Sequence, residues 1–175
     1  MKNIILLGFM GSGKTTIAFE LSRRFNMRYV STDDLIEKRE KCTINEIFTK
    51  KGEDYFREVE ALVVHDACSM ENVIIDLGGG AVIRDENWEN IKASGVAICL
   101  TADENTIMER TKKYKHRPLL NVEDPKQKIK NLMAKRAPFY ARADHRVDTG
   151  KLTVRQVVDK IAGIIEGPSG KAGAE

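Results

Sequence analysis

The sequence predicts an α/β protein, a parallel sheet with helices packed on both faces. Two observations predict it. Short aliphatic runs alternate with helical patterns along the chain, and such alternation closes into a parallel sheet through right-handed crossovers. The first run, Asn3–Gly8 (NIILLG), is almost wholly apolar, as a strand buried on both faces must be, and a glycine-rich turn follows it directly.

The elements follow in order. Arg28–Ser31 (RYVS) is a weaker second strand, residues 73–77 (VIIDL) and 96–100 (VAICL) read as the third and fourth, and residues 146–147 with their neighbours form a short fifth. Helical patterns cover residues 14–25, 34–40, 43–51, 53–69, 103–113, 125–142 and 153–166. Pro138 is expected to break or kink the helix over 125–142, because it lacks an N–H and its ring crowds the preceding turn. Residues 1–166 read as a single domain without internal repeats. Residues 167–175 (GPSGKAGAE) hold no apolar side chain larger than Ala or Pro and read as a free tail.

Composition narrows the function. With 175 residues, 42% hydrophobic and 31% charged, the chain has the balance of one soluble globular domain. A net charge of +3 is too balanced for a nucleic-acid coat. No apolar run approaches the roughly 20 residues that span a bilayer, and the run over residues 4–9 is too short for a signal peptide, so a cytoplasmic protein without membrane partners, and a monomer, is expected. Cys42, Cys68 and Cys99 are scattered, without the spacing of a disulfide framework or zinc site, and read as reduced packing residues; His65, His116 and His145 show no ligand spacing either.

The strongest chemical signal is Gly8-Phe-Met-Gly-Ser-Gly-Lys14-Thr15, which fits G-x-x-x-x-G-K-[ST]. Glycines let the backbone curl and turn its N–H groups onto phosphate oxygens, and the helix opening at Lys14 adds the positive end of its dipole. Gly11, Ser12, Gly13, Lys14, Thr15 and Thr16 are the expected ATP contacts, with Lys14 on the β- and γ-phosphates and the Thr15 hydroxyl on Mg²⁺. No guanine-reading N-K-x-D segment is present, so a small switch protein is disfavoured.

Three later features bear on a second substrate. Ser31-Thr-Asp33-Asp34 ends the second strand, where ligands gather in open α/β sheets; a carboxylate there could take the proton of a substrate hydroxyl, although Asp33 or Asp34 would equally serve as a helix N-cap. Arg57 and Glu60 lie three apart on one helical face, either as a solvated pair or as a guanidinium fixed by a buried carboxylate for bidentate grip. Gly78, Gly79 and Gly80 remove every side chain after the third strand, either as a flexible turn or to let a hydroxylated ring lie against the backbone. Residues 111–124 (TKKYKHRPLLNVED) are basic and interrupted by Pro118; they read as a plain surface loop or as a lid that excludes water and neutralises charge.

The order of P-loop, T-D, F-R-x-x-E, G-G-G-A-V, R-P-L-L and K-R-A-P-x-Y resembles the shikimate kinase family, over residues 3–149. The resemblance implies a three-layer P-loop kinase fold with a five-stranded parallel sheet of order 2-3-1-4-5, and ATP-dependent phosphorylation of the shikimate 3-hydroxyl in aromatic amino-acid biosynthesis. It implies that Lys14, Asp33 and Arg117 are catalytic, Asp33 also binding the substrate hydroxyls and Arg117 reaching the ATP phosphates from the lid. It further implies that Arg57 and Arg136 clamp the substrate carboxylate, with Glu60 orienting Arg57, that Gly78 to Gly80 line the ring, and that Arg110 packs on adenine. One departure stands out. The family usually has D-T-D at the second strand, its first aspartate holding Mg²⁺ through water; here that position is Ser31, while Asp76 stands where the family commonly has a small residue. Asp76 is therefore expected to take over the outer-shell metal role with Thr15, the alternative being a solvated or N–H-bonded aspartate. A kinase for another small hydroxy acid such as gluconate, and a nucleotide-binding regulator without catalysis, are the competing functions.

Overall fold

The computed structural model describes residues 2–112 and 124–167. Arg117, His116 and most of the expected lid lie outside the described residues, as does the tail from residue 168. The strands are β1 Asn3–Gly8, β2 Arg28–Ser31, β3 Val73–Asp76, β4 Gly95–Thr101 and β5 His145–Asp148; the helices are α1 Lys14–Phe25, α2 Thr32–Glu40, α3 Ile44–Cys68, α4 Asp85–Ser94, α5 Glu104–Thr111, α6 Pro125–Tyr140 and α7 Val154–Glu166. All strand pairs are parallel, in the order β2-β3-β1-β4-β5, the order the resemblance implies.

Strand alternation divides the core between the two sheet faces. Ile5 and Leu7 of β1, with Ile75 and Cys99, pack beneath α3, α4 and α6 against Val64, Trp88 and Ile129. Ile4 and Leu6, with Ile74 and Ile98, pack on α1 and α7 against Leu21 and Ile161. Each such fully buried aliphatic side chain contributes about 1.5–3 kcal/mol. A third cluster, Ile36, Ile47, Phe56, Val59 and Val63, joins α2 to α3 beside the main sheet.

Two local expectations need correction and a third holds. Pro138 does not break α6, which runs on to Tyr140; in the last turn its missing N–H forfeits only one bond of the ladder. Helix α4 was not expected, because DENWENIKAS buries only Asn87, Trp88 and Ile91 and so carries too thin an apolar stripe to read as a period. Its anchors are polar: Asn87 Nδ2 and Trp88 Nε1 donate to the carbonyls of Ala81 and Val82, fixing the 3-10 turn Ala81–Ile83 that follows the glycines. The expected gap between the helices over 43–51 and 53–69 is real: α3 changes direction at Gly52, whose φ of 83° and ψ of 172° suit only glycine.

The register places the chemistry. Leu6 pairs with Asp76, and Asp76 with Ser31, so β2 and β3 end level while β1 runs two residues further to Gly8, and the three release the segment at Asp33, the three glycines and the P-loop at one edge of the sheet. Among the described residues no helix is long and apolar enough to cross a membrane.

Candidate active site

At that edge lies a cleft of about 550 Å³. Asp33 enters it from the start of α2, Arg57 and Glu60 from α3, Gly78 to Gly80 from the β3 loop and Arg136 from α6, while Met10, Phe48 and Phe56 supply apolar wall. All the residues expected to meet the second substrate therefore share one space.

Arg57 and Glu60 are not a solvated pair. The Arg57 side chain is 13% exposed and that of Glu60 2%, and Arg57 Nη1 donates to Glu60 Oε2 at 2.6 Å. Burial pushes the Glu60 carboxyl up, against the pull of the Arg57 guanidinium. Burial likewise opposes the charge on Arg57, but Glu60 and then Glu53 outweigh it and hold its pKa up. Glu53, which sequence reasoning missed, accepts from Nε at 3.3 Å and Nη2 at 3.0 Å on the other side of the guanidinium.

The glycines form a turn, closed by the Ala81 N–H donating to the Gly78 carbonyl at 3.1 Å, and two of them also stand at points of close approach. A methyl group on Gly78 would stand 2.7 Å from Asp33 Oδ1, and one on Gly80 would stand 2.7 Å from Arg57 Nη2 and closer still to Nη1, plugging the end of the fork. Thr32, fully buried, stitches the two segments together: it accepts from Gly78 N–H at 2.9 Å and donates to the Asp76 carbonyl at 3.3 Å. Neither Asp33 nor Asp34 caps α2. The helix starts at Thr32, one turn position too early for them, and the N-cap is Ser31, whose Oγ accepts from Asp34 N–H at 3.1 Å.

Tyr140 closes the far side. Its hydroxyl donates to the Gly79 carbonyl at 2.7 Å, and burial pushes its pKa up to about 12, so it remains a donor at neutral pH. Arg136 Nη1 reaches the same carbonyl at 3.4 Å, and its guanidinium lies over the Phe9 ring.

The P-loop bounds this cleft through Met10 and a second cleft, of about 490 Å³, through Gly11, Ser12, Gly13 and Thr16. Gly13 has φ 92° and serves as the N-cap of α1, leaving the first turn's N–H groups without a side-chain cap, as an anion seat requires. Lys14 Nζ donates to the carbonyls of Gly8 and Phe9 at 3.0 and 3.3 Å. Arg110 lines the second cleft and is fixed there by Gly11 O (3.3 Å), Thr149 Oγ1 (3.0 Å) and Thr149 O (2.9 Å). Thr149 gave no sequence signal, yet its hydroxyl donates to the Ser12 carbonyl and its backbone N–H to the Thr101 carbonyl, tying the P-loop to β4.

Asp76 is not solvated; it is 7% exposed and its Oδ2 accepts from Thr15 Oγ1 at 2.6 Å and from Tyr29 Oη at 3.4 Å. A hydroxyl that gives its only proton to Asp76 turns its lone pairs outward, and with the carboxylate it makes a donor set of hard oxygens suited to Mg²⁺.

Comparison with known proteins shows the family. The family model for shikimate kinase matches residues 10–166. The shikimate kinase of Thermodesulfovibrio yellowstonii is 44% identical over 161 residues, covering 92% of this chain and 93% of that one. A solved shikimate kinase from Acinetobacter baumannii, in complex with shikimate, is 34% identical and superposes with a TM-score of 0.92 over 99% of this chain and 96% of that one. A gluconokinase from Sinorhizobium meliloti, 14% identical with a TM-score of 0.59 over 94% of this chain and 92% of that one, shares the fold alone.

Proposed function

The chain belongs to the shikimate kinase family, and from that membership we propose that it transfers the γ-phosphoryl group of ATP to the 3-hydroxyl of shikimate, giving shikimate 3-phosphate and ADP. The observation that carries the reading is the shared cleft: two guanidinium groups, Arg57 and Arg136, line the same space as Asp33, and that space ends on the P-loop. A ring acid held by its carboxylate on the arginines presents its hydroxyl towards Asp33 and the nucleotide.

Each residue then has a task. The P-loop N–H groups and Lys14 hold the β- and γ-phosphates, and Arg110 borders the space in which adenine packs. Glu60 fixes Arg57 for bidentate grip on the carboxylate, and the glycines let the ring approach the backbone. Asp33 aligns the attacking hydroxyl and accepts its proton; the loose transition state of phosphoryl transfer asks for alignment more than for a strong base. Arg117 is assigned the phosphates from the lid on the resemblance alone, since it lies outside the described residues. Thr15 and Asp76 would hold Mg²⁺, directly and through water, and when bound the ion neutralises charge on the phosphate oxygens.

A coupled ADP-release assay tests the reading. Shikimate should drive ADP release well above the rate without acceptor, and gluconate should not. A rate that gluconate raises and shikimate does not would assign the cleft to a different acid, and no acceptor dependence at all would favour a non-catalytic nucleotide binder.

A further inference from the structure

The Gly79 carbonyl has two donors from one helix. Tyr140 Oη approaches it at 2.7 Å and Arg136 Nη1 at 3.4 Å. The two side chains stand four residues apart on α6, hence on one face, and are 8% and 5% exposed. The distances are unequal in a way that matters. An O–H···O bond is at its best near 2.7 Å, whereas 3.4 Å is at the outer edge for N–H···O. The carbonyl thus depends on Tyr140, and the contact from Arg136 is one it can give up.

Were Arg136 the sole donor, turning its guanidinium onto a substrate carboxylate would leave a half-buried carbonyl unpaired, and that penalty would be subtracted from substrate binding. We propose that Tyr140 is a positioning residue for the substrate carboxylate: by holding Gly79 O it frees Arg136 to trade that contact for the carboxylate. The proposal rests on the reading of Arg136 as half of the carboxylate clamp.

Steady-state kinetics with shikimate and ATP varied separately test it, on Tyr140→Phe, Arg136→Ala and the double variant, with the Tm of each recorded. Tyr140→Phe should raise the KM for shikimate about three- to tenfold, leaving kcat and the KM for ATP close to wild type. In the Arg136→Ala background the same change should add almost nothing, because no guanidinium is left to compete for the carbonyl. An Arg136→Ala enzyme with unchanged KM for shikimate overturns the clamp and the proposal together. If Arg136→Ala raises KM but Tyr140→Phe does not, or raises it by the same factor in both backgrounds, the clamp stands and the proposal is wrong. A fall in Tm without a change in KM marks a merely structural hydroxyl and is equally contrary. Tyr140→Leu removes the same hydroxyl and is read in the same way should Tyr140→Phe not fold.

Discussion

Arg57 shows how a single side chain joins packing to recognition. Its guanidinium is gripped by Glu60 from the core and by Glu53 from the surface, so its plane is set before any substrate arrives. A hydrogen bond to a charged group is worth about 1.5–3 kcal/mol, so Arg57→Ala should lower kcat/KM for shikimate roughly ten- to a hundredfold, with ATP binding in the absence of shikimate unchanged. Equal losses for both substrates would make Arg57 structural. Because Arg57→Ala also strands a carboxylate that is 2% exposed, the Arg57→Ala/Glu60→Gln enzyme should recover Tm without recovering activity. Asp76 gives a second test. Asp76→Asn should weaken the Mg²⁺-dependent part of ADP binding, read by calorimetry with and without EDTA, more than Ser31→Ala does; small and equal effects would remove Asp76 from the metal site. At this scale the sequence was legible where a motif names the residue. It was silent on Thr149 and Tyr29, and on the partners of Thr32, the first letter of T-D; their contacts span 137 to 44 positions of chain and exist only once the sheet has formed. Tyr140 was visible as the last letter of K-R-A-P-x-Y, but the partner of its hydroxyl was not.

Among the elements, α3 bears most directly on the cleft, since Ile44, Asn45 and Phe48 line one wall and Arg57 the next, with the bend at Gly52 between them. The wall is held at its start by a capping box in which Thr43 and Glu46 bond each other's backbone N–H. The Thr43 backbone N–H, and after it Lys50, lower the Glu46 pKa from 4.5 to about 2. A carboxyl depressed in the folded state stabilises fully above its unfolded pKa and loses that contribution as pH falls towards the folded one. The Tm difference between wild type and Glu46→Gln should therefore be constant near neutral pH and shrink as pH drops from 4.5 towards 2; a difference independent of pH across that window would mean the box contributes through shape alone. The break at Gly52 was legible, because glycine stands where two helical patterns meet. Ser31 shows why element ends were less so: α2 starts two residues earlier than its apolar period suggests, and the cap moved from the aspartates to the serine with it.

The whole molecule brings residues 33, 57, 78 to 80 and 136 to one edge: parallel strands all end there, residues 33 and 78 to 80 follow the ends of β2 and β3, and α3 and α6 carry Arg57 and Arg136 to the same cleft. That consequence of topology was readable from strand and helix alternation; the order of the strands came with the resemblance. The two clefts both reach the P-loop, one lined by guanidinium and carboxylate and the other by Arg110 and Thr149. The most direct test is a crystal structure with shikimate and ADP–Mg²⁺ bound together. The shikimate carboxylate should lie within hydrogen-bond distance of Arg57 and Arg136, with its 3-hydroxyl beside Asp33 and facing the P-loop. Shikimate bound with its carboxylate towards Lys14, or away from both arginines, would contradict the account.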